Sequence, residues 1–115
     1  MVKPNPERRA LYRLQYPPAD RPQASLAGTT YAVTEISEGG MRLGLHGEPG
    51  LLGNEELGGE VLFHDGEVVT IRGQVLRTEG LELVLQLHEG ISFRRMLTEQ
   101  QWLQHRYPRR YKSAD

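Results

Sequence analysis

The chain contains no cysteine. That excludes disulfide staples, thiolate catalysis and zinc held by cysteine, and it fits a reducing compartment. Long apolar runs are also missing. No stretch approaches the roughly 20 residues that a membrane-spanning helix needs, and the opening Met1-Val2-Lys3-Pro4-Asn5-Pro6-Glu7 lacks the apolar core of a signal peptide. These absences lead to the expectation of a cytoplasmic protein that does not insert in a membrane. No Gly-rich P-loop, no Gly-x-Ser-x-Gly and no Ser-Lys pair is present. None of the four histidines, His46, His64, His88 and His105, stands at a metal-ligating spacing from another. No acid, base and nucleophile converge in the sequence, so the expectation is a protein that is not an enzyme and carries no cofactor.

What is present fits one domain. A chain of 115 residues can bury one modest core and fold alone. The formal net charge of −1 hides an uneven distribution. Residues 1–22 carry five basic and two acidic side chains, and residues 91–115 carry six and two. Between them, eleven acids face only Arg42, Arg72 and Arg77. Basic ends on an acidic body suit a small anion gripped by a few arginines better than a long duplex, which calls for a broad basic face.

The hydrophobic pattern is mainly of period two. Leu11 to Tyr16 alternates loosely and stops at Pro17-Pro18, and the segment from Asp20 to Thr29 reads as turn-rich. Tyr31 to Ile36 is rich in strand formers. Met41, Leu43 and Leu45 alternate cleanly after the turn at Gly39-Gly40. Residues 47–59 carry five glycines and a proline and read as a loop. Glu60 to His64 is the next strand, and Asp65-Gly66 is a two-residue hairpin signal. Val69, Ile71 and Val75 share a face of a strand from Glu67 to Arg77, with Gly73 on that face as a bulge or close approach. A turn at Thr78-Glu79-Gly80 precedes the alternation of Leu81, Leu83, Leu85 and Leu87. A helix is expected over 98–107, with Thr98 as N-cap, Gln101 completing a capping box, and Leu97 and Trp102 as a hydrophobic staple. Pro108 ends it. The expected fold is all-β: a six-stranded antiparallel barrel with a short C-terminal α-helix, because closure removes exposed edges. Residues 1–8 are read as a flexible lead, 9–108 as the barrel domain with its helix, and 109–115 as a mobile tail.

Two short motifs carry the functional reading. Arg9 and Arg13 form Arg-x-x-x-Arg, with Arg8 beside them. Further on, Glu35-x-Ser37-x-x-Gly40 lies at a strand-to-strand turn. Together, in this order and on this strand pattern, they resemble the two signatures of the bacterial PilZ family, in which the second motif opens with Asp or Asn. The order of strands and Phe93-Arg94-Arg95 before the helix are also similar to that family, over residues 7–107.

The resemblance implies a PilZ-like barrel that binds cyclic di-GMP and signals to an unidentified effector protein, in the control of motility or biofilm formation. It implies that Arg9 and Arg13, helped by Arg8, close over the ligand and become ordered on binding. It also implies that Glu35, Ser37 and Gly40 form the opposite wall. The chemistry is compatible. The arginine fork matches phosphate oxygens and guanine O6/N7, and it stacks on purine faces. Ser37 offers a short hydroxyl, Glu35 can accept from guanine N1–H and N2–H, and Gly40 permits a close backbone approach. Glu35 departs from the family pattern by one methylene. A desolvated carboxylate left unpaired near a polyanion costs on the order of several kcal/mol, which favours the alternative of a PilZ-like adaptor that binds proteins and not the nucleotide. A barrel for RNA or single-stranded DNA would expose basic and aromatic residues on a sheet face. The strands here show leucine and acids instead, which argues against a nucleic-acid polymer as partner.

Overall fold

The structure is a computed structural model, and it describes residues 13–45 and 56–110. Among the described residues there are seven strands: β1 (Leu14–Gln15), β2 (Gln23–Leu26), β3 (Thr29–Ile36), β4 (Gly40–Gly44), β5 (Glu56–Leu62), β6 (Val68–Glu79) and β7 (Glu82–Glu89). A 3-10 turn over Pro18–Asp20 joins β1 to β2, and helix α1 (Phe93–Arg106) follows β7. All pairings are antiparallel. The order β3-β2-β5-β6-β7-β4 returns to β3 through the β3–β4 pairing, so six strands close into a barrel. The expected fold class is therefore what the chain adopts.

The six strands of the ring are not the six read from sequence. The first segment supplies β1, which lies outside the ring. It continues the edge of β3 that β2 leaves open: β2 pairs with residues 29–32 and β1 with residues 35–36. The segment read as turns contains β2. It was hidden because Ala24 and Leu26 are its only buried residues and because Ala27-Gly28 is not one of the strong hairpin signals. Both residues nevertheless adopt positive φ, 50° and 82°, as a two-residue turn of the primed type requires.

The segment read as a loop to residue 59 is corrected from Glu56 onward, where β5 begins. Gly59 serves a close approach there and not a turn: a Cβ on it would stand 2.0 Å from the Ser25 carbonyl oxygen. The β5–β6 connection is also longer than two residues. Phe63 and Glu67 still bond, N to O at 2.9 Å, and only Gly66 takes a positive φ, 89°. That combination is a three-residue hairpin whose last residue is left-handed.

The core fills the barrel with Ala24, Leu26, Val33, Leu43, Val61, Ile71, Val75, Leu83 and Leu85, all nearly inaccessible. On β3 the register against β4 shifts between Val33 and Glu35. The shift changes the parity of the strand, so Val33 and Ile36 are both buried while Glu35 turns outward. The expectation for Gly73 holds: the register of β6 against β7 shifts between Arg72 and Gly73. Leu81 leaves the buried alternation, since it sits at the β6–β7 hairpin tip and is 76 % exposed.

Helix α1 starts five residues before the expected position. Ser92 is the N-cap, its hydroxyl accepting from the Arg95 N–H at 3.0 Å. Thr98 lies inside the helix, where its hydroxyl donates to the Arg94 carbonyl at 3.1 Å, and Leu97 is half exposed and not a staple. The buried face is Arg95, Met96, Glu99 and Leu103.

Glu99 is fully buried and gathers donors from three elements. Tyr16 beyond β1 donates to Oε1 at 2.5 Å and Arg95 to Oε2 at 2.5 Å, while His64 Nε2 stands 2.8 Å from Oε2. Arg95 also bonds Asp65 at 3.0 and 3.1 Å, bonds Glu67, and lies 4.4 Å above the Phe63 ring. Burial opposes its charge, but hydrogen bonds to Asp65, Glu99 and Glu67 hold the pKa of its guanidinium above the ordinary value. The Trp102 ring stacks on His64, with centroids 3.8 Å apart. This network ties the helix to the β5–β6 hairpin and to the chain entering from β1. Among the described residues, no helix is long and apolar enough to cross a membrane.

Candidate functional site

Strand register builds a row of outward side chains on one side of the barrel. Gln15 opposes Glu35, Glu35 opposes Arg42, Arg42 opposes Val84, and Val84 opposes Arg77. A parallel row places Gly40 opposite Gln86. All of these but Gln15, together with Arg13, Ser37, Gly39 and the half-exposed Leu76, line a cleft of about 360 Å³. Four of the six residues singled out in the sequence, Arg13, Glu35, Ser37 and Gly40, thus come together. Arg8 and Arg9 lie outside the described residues.

The β3–β4 turn that carries the second motif is tight. Ser37 N–H donates to the Gly40 carbonyl at 2.9 Å, and the Ser37 hydroxyl leans on the same oxygen at 3.3 Å. The Gly39 carbonyl accepts from Leu87 N–H at 3.0 Å, which pins the turn to β7. Neither glycine has positive φ, so the turn does not depend on left-handed backbone. Gly40 is needed for proximity: a Cβ there would stand 3.2 Å from the Leu85 carbonyl oxygen.

The sequence did not point to Arg42, Arg77 and Gln86 as part of the site. A signal for two of them was available, since they are two of the three basic residues in the acidic body. Their convergence, however, depends on the register of β4, β6 and β7, which no local pattern reveals. Both arginines are engaged. Arg42 donates to Glu79 at 2.9 Å and Glu82 at 3.2 Å, and Arg77 donates to Glu79 at 2.5 Å. The hydrogen bond to Glu79 chiefly, opposed by burial and helped by Glu82, raises the pKa of Arg42 above its ordinary value. In turn Arg77, then Arg42, hold the Glu79 carboxyl below the usual carboxylate range.

Glu35 is not the isolated acceptor its extra methylene suggested. Gln15 Nε2 donates to it at 3.3 Å, and Arg13 and Arg42 stand 3.7 and 3.8 Å from Oε2. The carboxylate is countered, and the two arginines are loosely held by it. The Arg13 and Arg77 side chains are similarly exposed, 54 % and 52 %, but Arg77 is bonded to Glu79 at 2.5 Å while Arg13 stands 3.7 Å from Glu35, so Arg13 is the more loosely held of the two. The cleft therefore offers one loosely held guanidinium, two engaged ones, a carboxylate at its edge, and the exposed side chain of Leu76 beside the largely buried Val84. Among the described residues, no group of histidine, aspartate and glutamate is arranged to hold a metal ion.

No protein-family model matches the sequence, and no curated protein matches it. Among solved structures the chain is similar to the crystal structure of an uncharacterized Legionella protein, Lpg0364, with 18 % identity and a TM-score of 0.53, over 86 % of this chain and 97 % of that one. At that identity the likeness establishes a shared fold and nothing about a ligand.

Proposed function

We propose that the protein is a PilZ-type receptor that binds cyclic di-GMP on the outer face of β3, β4, β6 and β7 and passes the signal to a protein partner. The observation that carries this reading is the convergence of Arg13, Glu35, Ser37 and Gly40 on one cleft. Arg13 takes a ligand phosphate, with Arg9 of the same motif, and the exposed Leu76 supports a guanine. Calorimetry tests the reading. Wild-type protein binds cyclic di-GMP saturably, and Arg13→Ala weakens binding by at least about tenfold, as expected for a lost charge-assisted hydrogen bond of about 1.5–3 kcal/mol. An unchanged affinity in Arg13→Ala removes that residue from the site.

The adaptor reading draws on a different observation, the engagement of Arg42 and Arg77 by Glu79 and Glu82. Substitution at Glu35 separates the two. Glu35→Asp retracts the carboxylate from Arg13 and Arg42 by one methylene and restores the acid of the family motif. In a nucleotide receptor it tightens cyclic di-GMP binding about three- to tenfold, the scale of a loosened surface ion pair of up to about 1 kcal/mol. If neither wild type nor Glu35→Asp binds the nucleotide, the adaptor reading stands.

A further inference from the structure

Strand β6 brings an arginine to the cleft by breaking its own alternation. Val75 is buried opposite Leu85, and Arg77 lies opposite Val84, so the register against β7 shifts between Val75 and Arg77. In an unbroken strand Arg77 would share the inward face of Val75. The bulge turns it outward instead, beside Leu76, and both line the cleft. Bulges are over-represented next to functional sites, where they re-aim a side chain. The register shift on β3 between Val33 and Glu35 does the same for Glu35.

We infer that Arg77 is the second phosphate-binding residue of the cleft, and that Glu79 is the positioning residue that holds its guanidinium for the ligand. This rests on the receptor reading, in which Arg13 takes the other phosphate.

A guanidinium carries five N–H donors in a rigid fork. Arg77 uses one of them: Nε donates to Glu79 Oε2 at 2.5 Å. Its Nη1 and Nη2 groups make no hydrogen bond among the described residues. Glu79 does not line the cleft. One of its oxygens receives Arg77 and the other receives Arg42 at 2.9 Å, so a single carboxylate keeps two like charges side by side. The Arg77–Glu79 pair is neutral as a whole. It offers a phosphate directed donors, without surplus charge, and hydrogen bonds from an ionised donor to an ionised acceptor are the strong ones. A phosphodiester presents two non-bridging oxygens, which the Nη groups of the fork can meet together. Arg42 differs, since it faces Glu35, Glu79 and Glu82. It braces Glu79 and is not assigned a ligand contact.

Calorimetry with cyclic di-GMP on the full chain tests the assignment, with the folding of each variant checked by circular dichroism. Arg77→Gln should weaken binding at least about tenfold. Arg77→Lys keeps the charge without the fork and should recover only part of that loss. Glu79→Gln should weaken binding about two- to fivefold, although it removes a negative charge near an anionic ligand. In the Arg77→Gln background the same change should no longer weaken binding, because Glu79 acts through Arg77. Wild-type binding that Arg77→Gln leaves unchanged overturns the assignment and leaves the receptor reading intact. Full recovery in Arg77→Lys reduces Arg77 to a diffuse charge and overturns the fork contact. Tighter binding in Glu79→Gln, or an equal loss in both backgrounds, overturns the positioning role. No binding by wild type overturns the receptor reading and this assignment together.

Discussion

Replacing Glu99 by alanine destabilises the protein by about 3–5 kcal/mol, the scale of breaking a buried charged pair. Glu99 has no exposed surface, and its two oxygens are the common acceptor for Tyr16, Arg95 and His64. Arg95 keeps Asp65 and Glu67 in the variant, but its charge loses the one partner that is fully buried, and the Tyr16 hydroxyl loses its bond to this carboxylate. Glu99→Gln preserves one oxygen and turns an N–H₂ group toward donors, so it costs less, about 1–3 kcal/mol. Urea unfolding followed by the fluorescence of Trp102, the sole tryptophan, measures both, because its ring stacks on His64 inside this network. A loss below about 1 kcal/mol in Glu99→Ala would mean that the network contributes no more than an exposed ion pair.

The second large effect is purely steric. A Cβ on Gly73 would stand 2.1 Å from the Gln86 carbonyl oxygen and 3.0 Å from the Leu87 Cα. These are backbone atoms of β7 and cannot swing aside. Gly73→Ala must push β6 and β7 apart at the bulge, and the expected cost is about 2–4 kcal/mol. Gly58→Ala is the control, since the nearest atom to its Cβ is 3.9 Å away and its stability should change by no more than about 0.5 kcal/mol. Equal unfolding midpoints for the two variants would contradict the close approach. Because Gln86 also lines the cleft, the displaced β7 should weaken ligand binding as well.

Legibility followed the range of the interactions. Met41 with Leu43, and Leu83 with Leu85 and Leu87, turn inward at every second position, and that period can be read locally. β2 could not be read in this way. Its four residues follow Pro22 and present only Ala24 and Leu26 to the core, so its identity as a strand comes from pairing with β3 and β5. The helix start was obscured by chemistry. Arg95 and Glu99 occupy the buried face beside Met96 and Leu103, and charged residues at core positions hide the apolar stripe that marks a helix. Thr98 has the residue type of a cap, yet Ser92 is the cap.

The site divides along the same line. Arg13, Glu35, Ser37 and Gly40 belong to short motifs and could be named from the chain. Arg42, Arg77 and Gln86 join them only through the register of three strands. The role expected of Glu35 also changed. Its carboxylate sits among Gln15, Arg13 and Arg42, so the extra methylene reaches cations instead of leaving an unpaired charge. In the receptor reading, a ligand phosphate competes with Glu35 for Arg13, and this competition sets the affinity.

The central claim is that cyclic di-GMP binds at the cleft of Arg13, Glu35, Ser37 and Gly40. Its most direct test is a two-dimensional amide NMR titration of the full chain with the nucleotide. The account predicts saturable shifts that cluster at Glu35 to Arg42, Arg77 and Gln86, accompanied by changes at Arg8 and Arg9 and lost in Arg13→Ala. A spectrum unchanged at saturating nucleotide, or shifts confined to other faces of the barrel, would contradict it.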